Sequence, residues 1–201
     1  MPKKLFTDSQ ILGISTFPYS LKDFFLEGTQ QVSASWITLE NLSFPYCISI
    51  NSSYIYEQST DERINQNDAA ITLAHELGHY LGLRHVFSEG GTTSMCTDTD
   101  YCKDTPSYNR SEYEQWLNNL DKQNKYQLKD LAKRYSCEKG EYEAHNIMDY
   151  AYCFYNEITL EQRKRIRHIL NYSPLIPGPK ESRIDTRGVQ GRLNLPICIM
   201  K

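Results

Sequence analysis

Nothing in this 201-residue chain approaches the ~18 consecutive apolar residues a membrane span requires, and its mean hydropathy is −0.60. It has little net charge: 22 Lys and Arg against 25 Asp and Glu leave −3, so neither nucleic acid nor a bilayer is an expected partner. None of the six cysteines stands in a C-x-x-C pair, which excludes the usual zinc-ribbon and redox arrangements. Disulfides in an oxidising compartment are then the expected use, and an extracytoplasmic or secreted location with them. The opening Met1-Pro2-Lys3-Lys4-Leu5-Phe6 lacks the apolar core of a secretory leader. Secretion therefore requires that the leader has been removed or that the sequence is a fragment. Internal repeats and low-complexity tracts are absent.

The length fits one domain with a core of its own. Strands are expected at 11–17, 32–39 and 47–56, where β-branched and aromatic residues partly alternate between Gly, Pro and Asn signals. From Asp68 the period changes: Ala70, Leu73, Ala74, Leu77, Tyr80 and Leu81 recur at helical spacing, with Asn67 or Asp68 as cap and Gly82 as stop. Ser111 with Glu114 reads as a capping box for one or two amphipathic helices filling 112–136, and Thr159 with Gln162 as another for a helix ending near Asn171. The basic run Arg163, Lys164, Arg165 and Arg167 on that last helix reads as a solvated face, with a site for an anionic partner as the alternative.

Three of the five histidines fall within His75-Glu-Leu-Gly-His79-Tyr-Leu-Gly82-Leu-Arg-His85. His75 and His79 lie about 40° apart around a helix axis, so both imidazoles reach one ion, while Glu76 stands beside it. His85 joins them only if the helix breaks, and Gly82 supplies the break by taking positive φ. Three imidazoles leave an open zinc position, as catalytic sites do. Five specified positions in a chain this long have a chance expectation on the order of 10⁻⁵.

This string resembles the extended zinc signature of the metzincin metallopeptidases. His145-Asn-Ile-Met148-Asp-Tyr150, Asp100-Tyr-Cys-Lys-Asp104-Thr-Pro106 and Leu12-Gly-x-x-x-Phe17-Pro18 are similar to pappalysin-type members in particular. The resemblance implies an α+β zincin, with a small twisted sheet and the active-site helix above and an irregular, disulfide-linked lower subdomain with a C-terminal helix below. The catalytic domain would be 1–174, its upper subdomain spanning 1–82 and its lower subdomain 83–174, followed by a tail at 175–201. The family's segment before the zinc helix is longer, so some of the upper subdomain is expected to be missing.

By the same resemblance His75, His79 and His85 are the zinc ligands, Glu76 the general base and Met148 the turn methionine beneath them. Tyr150 matches a tyrosine that hydrogen-bonds the tetrahedral intermediate, with plain packing as its alternative. The family's two crossed bridges suggest Cys96–Cys137 and Cys102–Cys153. Asp98, Asp100 and Asp104 are a possible calcium site, a solvated acidic loop being the other reading. The expected activity is a zinc endopeptidase on protein or peptide substrates, in which Glu76 assists attack of zinc-bound water. The alternative is a zinc-binding but inactive or truncated homologue acting as a binding module. The strand at 47–56 is expected to offer the peptide an edge. The segment Ala151 to Tyr155, without an obvious carboxylate, is expected to favour apolar residues after the cut, unless Asp149 faces that pocket.

Overall fold

The computed structural model describes residues 11–38, 40–42, 46–60, 64–88, 98–121, 124–136, 138–150 and 152–176. Helices and small sheets mix in an α+β arrangement. Strand β1 (Gly13–Ser15) pairs antiparallel with β4 (Ile48–Ile50), and β2 (Tyr19–Leu21) pairs parallel with β3 (Gln30–Val32). The expected strand at 32–39 is displaced: β3 ends at Val32 and a short 3-10 turn, Ala34–Trp36, follows.

Helix α1 (Ala69–Tyr80) starts where expected. Asp68 caps it, its side chain accepting from Ala70 N at 2.8 Å and Ile71 N at 3.2 Å, and it also accepts from Ser59 N. The apolar spacing misleads about which face is inside. Leu73 and Leu77 are exposed, and the buried positions are Thr72, His75, Glu76 and Gly78. Thr72 and His75 on that inner face have fixed partners, the Asp68 and Ile147 carbonyls, and β1 comes close to it at Gly13, where a Cβ would stand 2.7 Å from Glu76 Cγ.

Helix α2 (Arg110–Asn118) is capped by Asn109, which accepts from Ser111 N and Glu112 N, in place of the expected Ser111 box. Helix α3 (Leu128–Leu131) is a single turn. The chain then becomes strand β5 (Lys133–Ser136), antiparallel to β6 (Gly140–Glu143). Residues 133–136 are extended, not helical, because Arg134 points inward while Lys133 and Tyr135 point out, a strand period disguised by a charged residue at the buried position.

Helix α4 (Leu160–Tyr172) carries the expected Thr159–Gln162 capping box and buries Gln162, Arg165 and Ile169. Arg165 is thus not on a solvated face. Ile169 packs with Tyr46, Leu175 and Ile176, so the chain stays in the core past Pro174. A second cluster joins Leu83, Val86, Phe87, Tyr108, Tyr113 and Met148.

Asp68→Ala removes a cap, and stability to urea should fall by about 1 kcal/mol. Burial works to raise the Asp68 carboxyl, but hydrogen bonds from Ser59, Ile71 and Ala70 outweigh it and hold it below the usual range. Its charged form is therefore the stabilising one. The difference between wild type and mutant should be full above about pH 4 and shrink as pH falls through the depressed folded value. A constant difference from pH 7 to pH 2 would contradict this role.

Candidate metal centre

The end of α1 explains how three histidines meet. Gly82 takes φ +88°, Leu83 N bonds back to Gly78 O at 2.9 Å and Gly82 N to His79 O at 2.9 Å, the paired bonds of a Schellman ending. The chain reverses and returns His85 to the helix. His85 Nε2 stands 3.2 Å from His75 Nε2 and 3.0 Å from His79 Nε2.

The rings are oriented from behind. His75 Nδ1 lies 2.8 Å from the Ile147 carbonyl and His79 Nδ1 2.8 Å from the Leu83 carbonyl. Each Nδ1–H donates to its carbonyl, so each Nε2 turns a lone pair inward. Converging lone pairs repel one another unless a cation sits among them, and three imidazoles are a catalytic zinc donor set. Among the described residues this is the one group of His, Cys, Asp or Glu able to hold a metal ion. Glu76 is buried beside it on α1. Burial pushes its carboxyl up, and the neighbouring Ser15 hydroxyl of β1 opposes the rise.

Met148 is fully buried, with its sulfur against Gly78 of α1 where a Cβ would collide. Its turn is pinned by Asn146, which accepts from Met148 N at 3.0 Å and exchanges side-chain hydrogen bonds with Gln162 at 2.8 and 3.1 Å. The cap of α4 thereby holds the turn that supplies the Ile147 carbonyl to His75. The Tyr150 ring lies 4.5 Å from the His85 ring and 5.3 Å from that of His75, centroid to centroid.

The sequence profile of the pregnancy-associated plasma protein-A family of peptidases, the pappalysins, matches residues 36–171. The chain belongs to this metallopeptidase family. Over 108 residues it is 37% identical to proteins named "Extracellular metalloprotease" in Arthroderma benhamiae and Trichophyton verrucosum, the stretch being 52% of this chain and 32% of each relative. A protein of the same name in Arthroderma otae is also 37% identical over 108 residues, 33% of its length. The chain spans well under two thirds of the relatives it matches. No solved structure matches it significantly.

In this pappalysin a cleft of about 420 Å³ opens beside His75 and Glu76. The strand that borders it is β1, through Gly13 with Ile11 and Leu12 just before it, whereas 47–56 was expected; β4 is the strand paired with β1. Of the run expected to line the pocket, Tyr155 alone does so among the described residues, and Ala151 lies outside them. Phe154 instead stacks on His145 at 4.7 Å. The apolar wall comes from Ile71, Tyr108, Tyr113 and Leu117. Arg110, which sequence reasoning missed, stacks 4.6 Å above the Tyr150 ring while its Nε bonds Glu114 at 2.5 Å.

Asp149 touches this cleft but is spoken for. It accepts from Tyr108 Oη at 2.5 Å and Tyr150 N at 2.7 Å, and pairs with Arg134 Nε at 3.5 Å, both partners essentially unexposed. Burial pushes its carboxyl up, and the Arg134 guanidinium is the largest opposing influence. Arg134 also donates to the Tyr150 carbonyl at 3.2 Å.

Two expectations need correction. Cys102 and Cys153 are buried free thiols, not a bridge; Cys153 donates to the Asn146 carbonyl at 3.3 Å and accepts from Tyr155 N at 3.4 Å. Cys96 and Cys137 lie outside the described residues. The calcium site is not supported either, because Asp98, Asp100 and Asp104 spend their oxygens on local structure. Asp98 accepts from Asp100 N and Tyr101 N, Asp100 from Cys102 N and Thr105 Oγ1, and Asp104 from Glu161 N.

Arg134→Met leaves Asp149 buried without its cation, so it should lower stability by about 3–5 kcal/mol in denaturant titration. Asp149→Asn in the same background should recover some of that loss. A single mutant within about 0.5 kcal/mol of wild type would show that the pair does not hold the turn.

Proposed function

We propose that this chain is a zinc endopeptidase that hydrolyses extended peptides laid along β1. The observation that carries this reading is the convergence of His75, His79 and His85 Nε2 beside a buried carboxylate in an open cleft. Bound by the three histidines, zinc supplies Lewis acidity, polarising a carbonyl oxygen and lowering the pKa of water. Glu76 takes a proton from the attacking water as its oxygen bonds the carbonyl carbon, and passes that proton to the amine nitrogen as the C–N bond breaks. Tyr150, over the His75 and His85 rings, donates a hydrogen bond to the oxygen of the tetrahedral carbon. Met148 ligates nothing; it fills the space under Gly78 and keeps α1 seated.

β1 suits a peptide partner because, among the described residues, β4 is the one strand it pairs with and its other edge pairs with no strand. An antiparallel peptide there gains main-chain hydrogen bonds. Its residue after the cut meets Ile71, Tyr113, Leu117 and Tyr155, walls that reward apolar side chains at about 25 cal/mol per Å². The metzincin division places the sheet and α1 above the cleft and the Met148 turn with α4 below. The names of the relatives support extracellular action. In the described residues no helix is long and apolar enough to cross a membrane.

Glu76→Gln should retain about one equivalent of zinc while peptide cleavage drops at least ~10³-fold, since an amide cannot take the proton. His85→Ala should lose zinc during dialysis against a weak chelator. Near-normal turnover in the first, or unchanged metal content in the second, contradicts the mechanism.

A further inference from the structure

The rings around His85 form one connected group. Phe87 stacks on His85 at 4.6 Å, Tyr150 meets the same imidazole edge-on at 4.5 Å, and the Phe87 and Tyr150 rings stand 5.0 Å apart, centroid to centroid. Phe87 is buried at 3% exposure, whereas Tyr150 keeps 36% of its surface open. The main chain of Tyr150 is fixed, because Asp149 accepts from its amide and Arg134 donates to its carbonyl. Those bonds leave the torsion about Cα–Cβ undecided. A half-open ring settles among its staggered rotamers according to what packs on it.

Arg110 packs on it. Its guanidinium carbon lies 4.6 Å from the Tyr150 centroid and 5.0 Å from that of Phe87, so one cation spans both rings. The arginine is itself held: its Nε donates to Glu114 Oε1 at 2.5 Å, one turn further along α2. Helix α2 is tied down in turn. Asn109 caps its start by accepting from Ser111 N and Glu112 N, and the buried Tyr113 donates to the Leu131 carbonyl at 2.6 Å. Arg110 and Glu114 both line the cleft beside His75 and Glu76. The first turn of α2 thus delivers a positive charge to the Tyr150 ring, and a cation over a phenol favours that rotamer severalfold over those that leave the contact.

We infer that Arg110 is a positioning residue: clamped by Glu114, it holds the Tyr150 ring against His85, where the phenol hydroxyl meets the oxygen of the tetrahedral carbon. The assignment rests on the peptidase reading above and on the part given there to Tyr150. The Glu114 bond belongs to the device, because a guanidinium tied at Nε keeps its place beside the ring. A ring already in position meets the developing negative oxygen without reorganising, so loss of the clamp falls on kcat and not on KM.

Two arms test it on the full chain. In the first, the zinc-loaded protein cleaves a fluorogenic peptide. Arg110→Met keeps a long side chain on the rings but removes the charge and the Glu114 bond, and it should lower kcat about 10-fold with KM within about twofold. Zinc content and the urea midpoint should stay near wild type, the Arg110–Glu114 pair being half-exposed. Arg110→Lys should recover part of the loss, and Glu114→Gln should lower kcat less than Arg110→Met does. In a Tyr150→Phe background Arg110→Met should cost nothing further, as expected when one residue acts only through the other. In the second arm, 3-fluorotyrosine is placed at position 150 of the zinc-free protein and followed by fluorine NMR. Its line should move in Arg110→Met and return part of the way in Arg110→Lys. Full additivity of the Arg110 and Tyr150 changes, a loss confined to KM, or a fluorine line indifferent to Arg110→Met overturns the inference even if the peptide is cleaved well. A wild type that binds zinc and cleaves nothing, with the fluorine line responding as expected, would refute the peptidase reading and leave Arg110 as the residue that sets the Tyr150 ring.

Discussion

Three imidazole lone pairs aimed at one point are an unfavourable arrangement on their own, and much of the described structure serves to hold it. The Leu83 and Ile147 carbonyls fix two of the rings by taking their Nδ1 protons. The first carbonyl is placed by the helix ending at Gly82, the second by a turn anchored through Asn146 to the cap of α4. An error at either anchor would rotate a ring, and each good contact behind a ligand sharpens the cation site. Met148 completes the arrangement from below by packing against the one side-chain-free position on that face of α1.

The region between α2 and β6 adds a second level of support. Arg134 and Asp149 bring opposite charges into a dry interior, an arrangement whose desolvation cost is large and which is retained for geometry more readily than for stability. Here the geometry is that of Tyr150, whose amide is held by Asp149 and whose carbonyl is held by Arg134. The same region gives the cleft Tyr113, Leu117 and Arg110. This one region thus braces the turn and shapes the pocket.

The convergence of His75, His79 and His85 was legible in sequence because its logic is local: a helix, a glycine stop and a short return. The caps at Asp68 and at Thr159 with Gln162 were legible for the same reason. What failed depended on tertiary context. Apolar spacing located α1 but not its inner face: Leu73 and Leu77 are exposed, and periodicity cannot foresee an inner face made of Thr72, a histidine, a carboxylate and a glycine. β5 was hidden by Arg134 at its buried position, and Arg165 passed for a surface cation because its carbonyl partners come from residues 82 and 27. The bordering strand was expected at 47–56, although β1 is the one that meets Glu76.

The central claim is that His75, His79 and His85 together hold one zinc ion through Nε2. X-ray absorption at the zinc edge, on protein loaded with one equivalent, tests it most directly. The account predicts three imidazole scatterers with Zn–N near about 2.0 Å, the remaining coordination supplied by oxygen and no sulfur shell. A sulfur shell near about 2.3 Å, or a fit needing only one imidazole, would contradict it.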